Sequence, residues 1–268
     1  MSTDAAGEPD WPEGLPRSVA SELLKGGLIC TTTREQLADG RDVVVKLCPY
    51  PAEVEAEGLR ALAEAGAPTP AVLGTAGKVL VLEFVSGPPA WAALGRAMAR
   101  VHGTTADRFG WPRDNPAGLF DQQNAWSDDW PTFFVERRIL AHLGDPQVPP
   151  ALADRLRAAC AGPLLDLLPN DSRPSLTHGD LWFGNVVDGR WVVDPAVCFA
   201  DRELDLAFME SGRLPDELFD AYQREWPFEP GYPERRTALQ LHKILVGLRH
   251  FGAARIPRLV AALDHYGW

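Results

Sequence analysis

The chain has 268 residues, 46% hydrophobic and 24% charged, with a formal net charge of −11. That is enough for one large core or for two lobes sharing a cleft. The acidic balance argues against nucleic acid and against an anionic membrane surface as partners, since both reward clustered Lys and Arg, but a small anionic ligand held by one or two local cations stays open.

The first stretch, MSTDAAGEPDWPEGLPRS, is acidic and proline-rich and lacks the basic and apolar regions of a secretory signal. Residues 1–16 read as a flexible tail. No apolar run approaches the ~20 residues of a membrane span. The four cysteines, Cys30, Cys48, Cys160 and Cys198, are scattered without a CxxC pair, which suits reduced thiols in a cytoplasmic protein.

Residues 17–85 are strand-rich. SVASELL, LICTTTREQL and RDVVVKLCP read as strands, and Asp39-Gly40 between the last two is a hairpin signal. A helix is predicted over 52–65, with acids early and Gly66 closing it. KVLVLEFV, about 78–85, is a further strand, ended by Ser86-Gly87-Pro88-Pro89. Residues 86–268 read as mostly helical: WAALGRAMARVHG, 129–143 with Pro131 in the first turn, 150–167, and about 234–251. The exception is Thr177–Ala207, THGDLWFGNVVDGRWVVDPAVCFADRELDLA, where six acids are threaded through apolar residues.

Within that stretch, Val186-Val187 and Arg190–Val193 flank Asp188-Gly189, the residues of a two-residue hairpin loop. Pairing Val187 with Arg190 and Val186 with Trp191 sets Asn185 opposite Val192, with Asp194 beside it at the open end. An amide oxygen and a carboxylate at one mouth suit a hard cation such as Mg2+. Asp180 lies five residues before Asn185. Asp-x4-Asn, a hairpin and a second Asp are the arrangement of phosphoryl-transfer sites in kinase-like folds. There the first Asp handles the acceptor hydroxyl proton while the Asn and second Asp hold metal against the nucleotide phosphates. Asp188 is then only a turn residue, and His178 buttresses the loop. Asp205 turns inward to anchor the loop backbone.

The small lobe offers the matching nucleotide clamp. Lys46, a lysine among valines, becomes the phosphate contact, with Glu55 as its ion-pair partner and Glu53 and Glu57 as alternatives. Gly26-Gly27 would bring backbone N–H groups to phosphates. Glu83 to Val85 falls where a hinge meets adenine. The expected fold is α+β and two-lobed, with a small antiparallel-sheet lobe and a larger mostly helical one.

From about residue 20 to about 255 the chain resembles the fructosamine/ketosamine kinase family of the aminoglycoside-phosphotransferase-like, protein-kinase-like fold. The resemblance rests on LTHGDLWFGN (176–185), VDPAVCFADRELDLA (193–207), FGWPRDNPAGLFDQQNAWSDDWPTFFVERRI (109–139) and LRHFG (248–252). It implies ATP and Mg2+ as cofactors and transfer of the γ-phosphoryl to the 3-hydroxyl of a ketosamine, small or protein-bound, as a deglycation step. Asp180 would be the base, Asn185 and Asp194 the metal ligands and Lys46 the phosphate contact. Trp182, His250, Gln122 and Asn124 would serve the substrate. Phe183 and Leu119 stand where the family often has serine, which reshapes the pocket. Asp121, Cys198 and Ala200 also depart from the pattern, and Leu28 replaces a cysteine found in some members. No arginine precedes Asp180, so activity without phosphorylation is expected. The rival readings are a kinase of another hydroxylated amine, such as an aminoglycoside, and a nucleotide-binding module without catalysis.

Overall fold

The structure, a computed structural model, describes residues 10–24 and 29–268. Five antiparallel strands form the first lobe: β1 (Ser18–Leu23), β2 (Thr31–Leu37), β3 (Asp42–Leu47), β4 (Val72–Ala76) and β5 (Val79–Glu83), in the order β1-β2-β3-β5-β4. The Asp39-Gly40 turn joins β2 to β3 as predicted, with Gln36 opposite Asp42. Between β3 and β4 the chain forms α1 (Ala52–Glu64).

Strand alternation sorts β3 between two cores. Val43 and Val45 join Leu37, Val79 and Val81 on one face, covered by Trp11 and Leu15. Residues 10–16, expected within a free tail, therefore pack on the sheet; the Trp11 indole donates to the Leu15 carbonyl (3.2 Å). Val44 lies on the opposite face, against α1 residues Ala52, Ala56 and Leu59. Lys46 shares that face, so its side chain is directed under the helix rather than to solvent.

Residues 84–90 lead from β5 into α2 (Trp91–Gly103), which packs on a helix much later in the chain, Asp216–Glu225. Next come the short pair β6 (Asn115–Ala117) and β7 (Phe120–Gln122), then α3 (Trp130–Phe133), N-capped by Asp129. The predicted 129–143 helix continues from α3 as a wide i→i+5 turn over Phe134–Ile139 and a tight turn over Leu140–His142. That widened segment carries the fully buried Arg138, held by Gln123 O and Asn124 Oδ1. The predicted 150–167 helix is broken into α4 (Pro150–Cys160) and α5 (Pro163–Leu167). Pro163 cannot supply the N–H that an unbroken helix needs there.

The acid-rich stretch hangs between two paired strands. β8 (Ser175–Thr177) enters it and β11 (Cys198–Ala200) leaves it, with Thr177 opposite Cys198. Inside lies the hairpin of β9 (Val186–Val187) and β10 (Trp191–Val192). After β11 come α6 (Arg202–Ser211), α7 (Asp216–Glu225), α8 (Tyr232–Phe251) and α9 (Ile256–Tyr266). α2 and α6–α9 share one large apolar core, which Leu62 of α1 also joins, so α1 ties the sheet to the helical lobe.

Candidate active site

The hairpin places two oxygen donors at its open end, but one residue out of the predicted register. Val187 pairs with Trp191 and Val186 with Val192. The reason lies in the turn: Asp188 and Gly189 both have positive φ (52° and 64°), and the Arg190 N–H closes on the Val187 carbonyl (3.0 Å). Arg190 is thus an extra, unpaired loop residue. Asn185 stands opposite Val193 instead, whose N–H donates to the Asn185 carbonyl (3.0 Å). The Asn185 amide nitrogen donates to the Asp180 carbonyl (2.8 Å) and to Asp180 Oδ2 (3.1 Å). Its amide oxygen takes no hydrogen bond among the described residues. With the Asp194 carboxylate, this makes a hard-oxygen donor set of the kind a divalent cation takes.

Lys46 meets this pair from the sheet. Its ammonium is ion-paired with Glu55 and with Asp194. Burial alone would lower the Lys46 pKa, but the two carboxylates outweigh it and hold the group well above its ordinary value, so the lysine stays charged. Burial pushes Glu55 upward, opposed by Lys46. Glu53 instead binds Arg60 and Thr75, and Glu57 binds Arg113, so neither alternative reaches Lys46. Behind Glu55, the Cys30 and Cys48 sulfurs lie 3.3 Å apart as free thiols, and the Tyr50 hydroxyl donates to Glu55 (3.3 Å).

The loop bearing Asp180 is fixed from beneath by Asp205. This fully buried carboxylate accepts the backbone N–H groups of His178 (2.6 Å) and Gly179 (2.9 Å), and lies 3.2 Å from His102 Nε2. Burial alone would raise its pKa; the His102 contact and the loop N–H groups prevail and hold it below the usual range. His178 is buried and neutral. Burial lowers its pKa, its Nδ1 accepts the Asp180 N–H (3.3 Å) and its Nε2 donates to the Val193 carbonyl (3.1 Å). Gly179 has φ of 79°, and a Cβ there would stand 2.0 Å from the Ala196 oxygen, so the loop tolerates no side chain at this point.

Asp180 itself faces a cation that sequence reasoning missed. Lys243 of α8 places its Nζ 3.2 Å from Asp180 Oδ1, between the rings of Trp182 (5.6 Å) and Phe208 (5.2 Å). Burial raises the Asp180 pKa, with Lys243 as the main opposing influence. The available signal was a polar His242-Lys243 pair interrupting the apolar periodicity of the helix.

Two cavities converge on Asp180. One, of about 330 Å3, is lined by Val44, Lys46, Leu82, Glu83, Phe84, Val85, Asn185 and Asp194. The other, of about 900 Å3, is lined by Trp182, Phe183, Leu119, Gln122, Lys243, His250 and several arginines. Asp180, Trp182, Ala117 and Gly118 border both. Gly26 and Gly27 lie outside the described residues. His250 has both ring nitrogens engaged, Nδ1 with the Val246 carbonyl (2.8 Å) and Nε2 with the Leu119 N–H (3.0 Å). Gln122 is buried, its amide nitrogen donating to Asn115 and to the Ala196 carbonyl (both 3.1 Å), and it borders the larger cavity. Asn124 differs from expectation. It is fully buried and lines neither cavity, and its amide bridges Arg138, Asn115 and the Arg113 carbonyl. It braces the loop under the site, because both amide N–H groups and the amide oxygen are engaged within the protein.

A sheet lobe, a helical lobe and a cleft where lysine, amide and two aspartates converge define a phosphotransferase with the protein-kinase-like fold. The chain belongs to the fructosamine kinase family, whose sequence profile matches residues 23–266. It is 33% identical over 229 residues to a Lactiplantibacillus plantarum protein named "Probable ketoamine kinase", covering 79% of this chain and 80% of that one. The crystal structure of a Thermobifida fusca protein provisionally named a fructosamine-3-kinase superposes with a TM-score of 0.85 at 32% identity, over 93% of both chains. A macrolide 2′-phosphotransferase from Brachybacterium faecium shares the fold, with a TM-score of 0.57 at 20% identity over 91% of both chains.

Proposed function

We propose that the protein is an ATP-dependent ketosamine kinase that phosphorylates the 3-hydroxyl of a fructosamine or ribulosamine. The observation that carries this reading is the meeting of the two cavities at Asp180, with a nucleotide-sized groove on one side and a larger acceptor chamber on the other. In this reading Lys46 binds ATP phosphate, held in place by Glu55. The Glu83–Val85 strip, whose first N–H is already taken by the Ala71 carbonyl, bounds the adenine pocket. The Asn185 oxygen and the Asp194 carboxylate hold Mg2+, which when bound offsets the phosphate charge.

Asp180 accepts the proton of the acceptor hydroxyl as its oxygen bonds to the γ-phosphorus and the bond to the ADP oxygen breaks. Positioning and electrostatics carry most of the acceleration, because the transition state is loose. Asp180 as base contributes roughly 10²–10⁴-fold. Trp182 offers a face to sugar C–H groups. The 3-phosphorylated adduct is prone to shed its sugar, so the family resemblance makes the reaction a deglycation step.

Phosphorus NMR of the product formed from ATP and ribuloselysine tests this directly. A phosphate ester coupled to the C3 proton is expected. Turnover with aminoglycosides alone would overturn the acceptor assignment. Asp180→Asn should abolish transfer while ATP still binds, and surviving turnover would remove Asp180 from the role of base.

A further inference from the structure

The acceptor chamber carries more positive charge than phosphoryl transfer requires. Its walls bear Lys243, Arg213, Arg255 and Arg258 against one carboxylate, Asp180, in a chain with 37 acidic and 26 basic residues. Lys243 is already paired with Asp180. Among the described residues, none of the three arginines has a carboxylate partner or a side-chain hydrogen bond.

The three come from two parts of the chain that border one cavity. Arg213 lies in the turn between α6 and α7, Arg255 in the turn before α9, and Arg258 in the first turn of α9. Arg213 has φ of 64°, a conformation uncommon for a residue with a Cβ. Its turn is tied to the Asp180 loop, since the Phe183 N–H donates to the Gly212 carbonyl (3.1 Å). The Arg255 guanidinium rests 5.0 Å from the Phe251 ring centroid. A guanidinium presents a planar fork of donors that matches carboxylate and phosphate.

We propose that Arg213, Arg255 and Arg258 form an anion subsite of the acceptor chamber, so that the preferred acceptor carries its own carboxylate or phosphate. This rests on the ketosamine kinase reading and narrows it. A free amino-acid adduct keeps its carboxylate, whereas the adduct of a lysine within a protein has lost it to the peptide bond.

The test compares three acceptors: the fructose adduct of glycine, the methylamide of that adduct, and the 6-phosphate of the methylamide. For each, kcat/KM is measured at low and high salt with the wild type and with the triple variant R213A/R255A/R258A. Binding of the same compounds without ATP is measured by calorimetry. At least one anionic acceptor should exceed the neutral methylamide by about 10- to 100-fold, mostly through KM, as charge-assisted contacts imply. The preference should shrink as salt rises and fall toward unity in the triple variant. Preference for the glycine adduct identifies the anion as a carboxylate, and preference for the 6-phosphate as a phosphate.

Equal kcat/KM and equal binding for all three acceptors in the wild type would overturn the proposal, as would a preference that persists in the triple variant. Should the triple variant fail to fold, the single changes R213Q and R258Q serve instead, each narrowing the ratio. Selective binding without any phosphorylation would sink the kinase reading and leave the anion subsite standing.

Discussion

Replacing Lys243 with methionine probes the least expected contact of the site. In the proposed mechanism Asp180 must be deprotonated to accept a proton, so kcat/KM should fall as pH drops through its free-enzyme pKa. Burial raises that pKa and Lys243 opposes the rise. At the 3.2 Å separation of Nζ and Oδ1, two unit charges interact by about 1.3 kcal/mol in water and about 5 kcal/mol at an effective dielectric of 20. The Asp180 side chain is 43% exposed and that of Lys243 28%, so screening favours the lower figure. That corresponds to about one pH unit. Lys243→Met should therefore move the acid limb of the kcat/KM profile upward by about one unit, while Lys243→Arg should leave it near its original position. ADP release measured from pH 4.5 to 8 would read the limb. An acid limb that stays put in Lys243→Met, or moves downward, would refute the claim that Lys243 sets the charge state of Asp180.

Glu55→Gln removes one of the two carboxylates paired with the buried Lys46 and leaves Asp194 as its remaining ion-pair partner. It should cost about 1–3 kcal/mol in urea unfolding, because Asp194 still offsets the ammonium, and weaken ATP binding; no measurable loss would contradict the burial argument. Asp205 has a lowered pKa in the folded state, so its contribution is present above the ordinary aspartate value and lost as pH falls through the folded one. Asp205→Asn should thus be less stable at neutral pH and show a flatter decline of the urea midpoint between about pH 5 and 3; an unchanged slope would count against it. Gly118 has φ of 68°, and an added Cβ would stand 2.2 Å from His250 Nε2. Gly118→Ala should lower kcat/KM for the acceptor by on the order of tenfold or more through displacement of the chamber wall, with the urea midpoint measured alongside to show the fold intact.

What was legible in the sequence was local. A lysine in a valine strand could only face one side of the sheet, and an Asp-Gly pair between apolar dipeptides could only turn the chain. Even there the register slipped by one, because the hairpin pattern does not say whether Arg190 pairs or bulges. Glu55 could have been separated from Glu53 and Glu57 on helical phase, since Glu55, Leu59 and Leu62 share the buried face of α1. Lys243 was out of reach. It meets Asp180 across 63 residues, and no local pattern distinguishes it from an ordinary solvent-facing lysine. Asn124 failed in the opposite sense: an asparagine in a polar loop looks available to a ligand until the fold encloses it around Arg138.

The overall acidity and the local chemistry also constrain one another. A net charge of −11 disfavours the approach of any anion from a distance. At physiological ionic strength, however, exposed charges are felt only over about 8 Å. Under the proposed function, an anion that reaches the cleft responds to Lys46 on the nucleotide side and to the arginines on the acceptor side, not to the acids spread over the rest of the surface. Such an arrangement rewards a ligand small enough to place its charge within that distance of the cations, and penalises one whose charge extends beyond the cleft. By that argument the discrimination between acceptors is short-range and geometric. Moving a single anionic group a few ångströms along the acceptor should change its KM more than adding a second charge that projects into solvent.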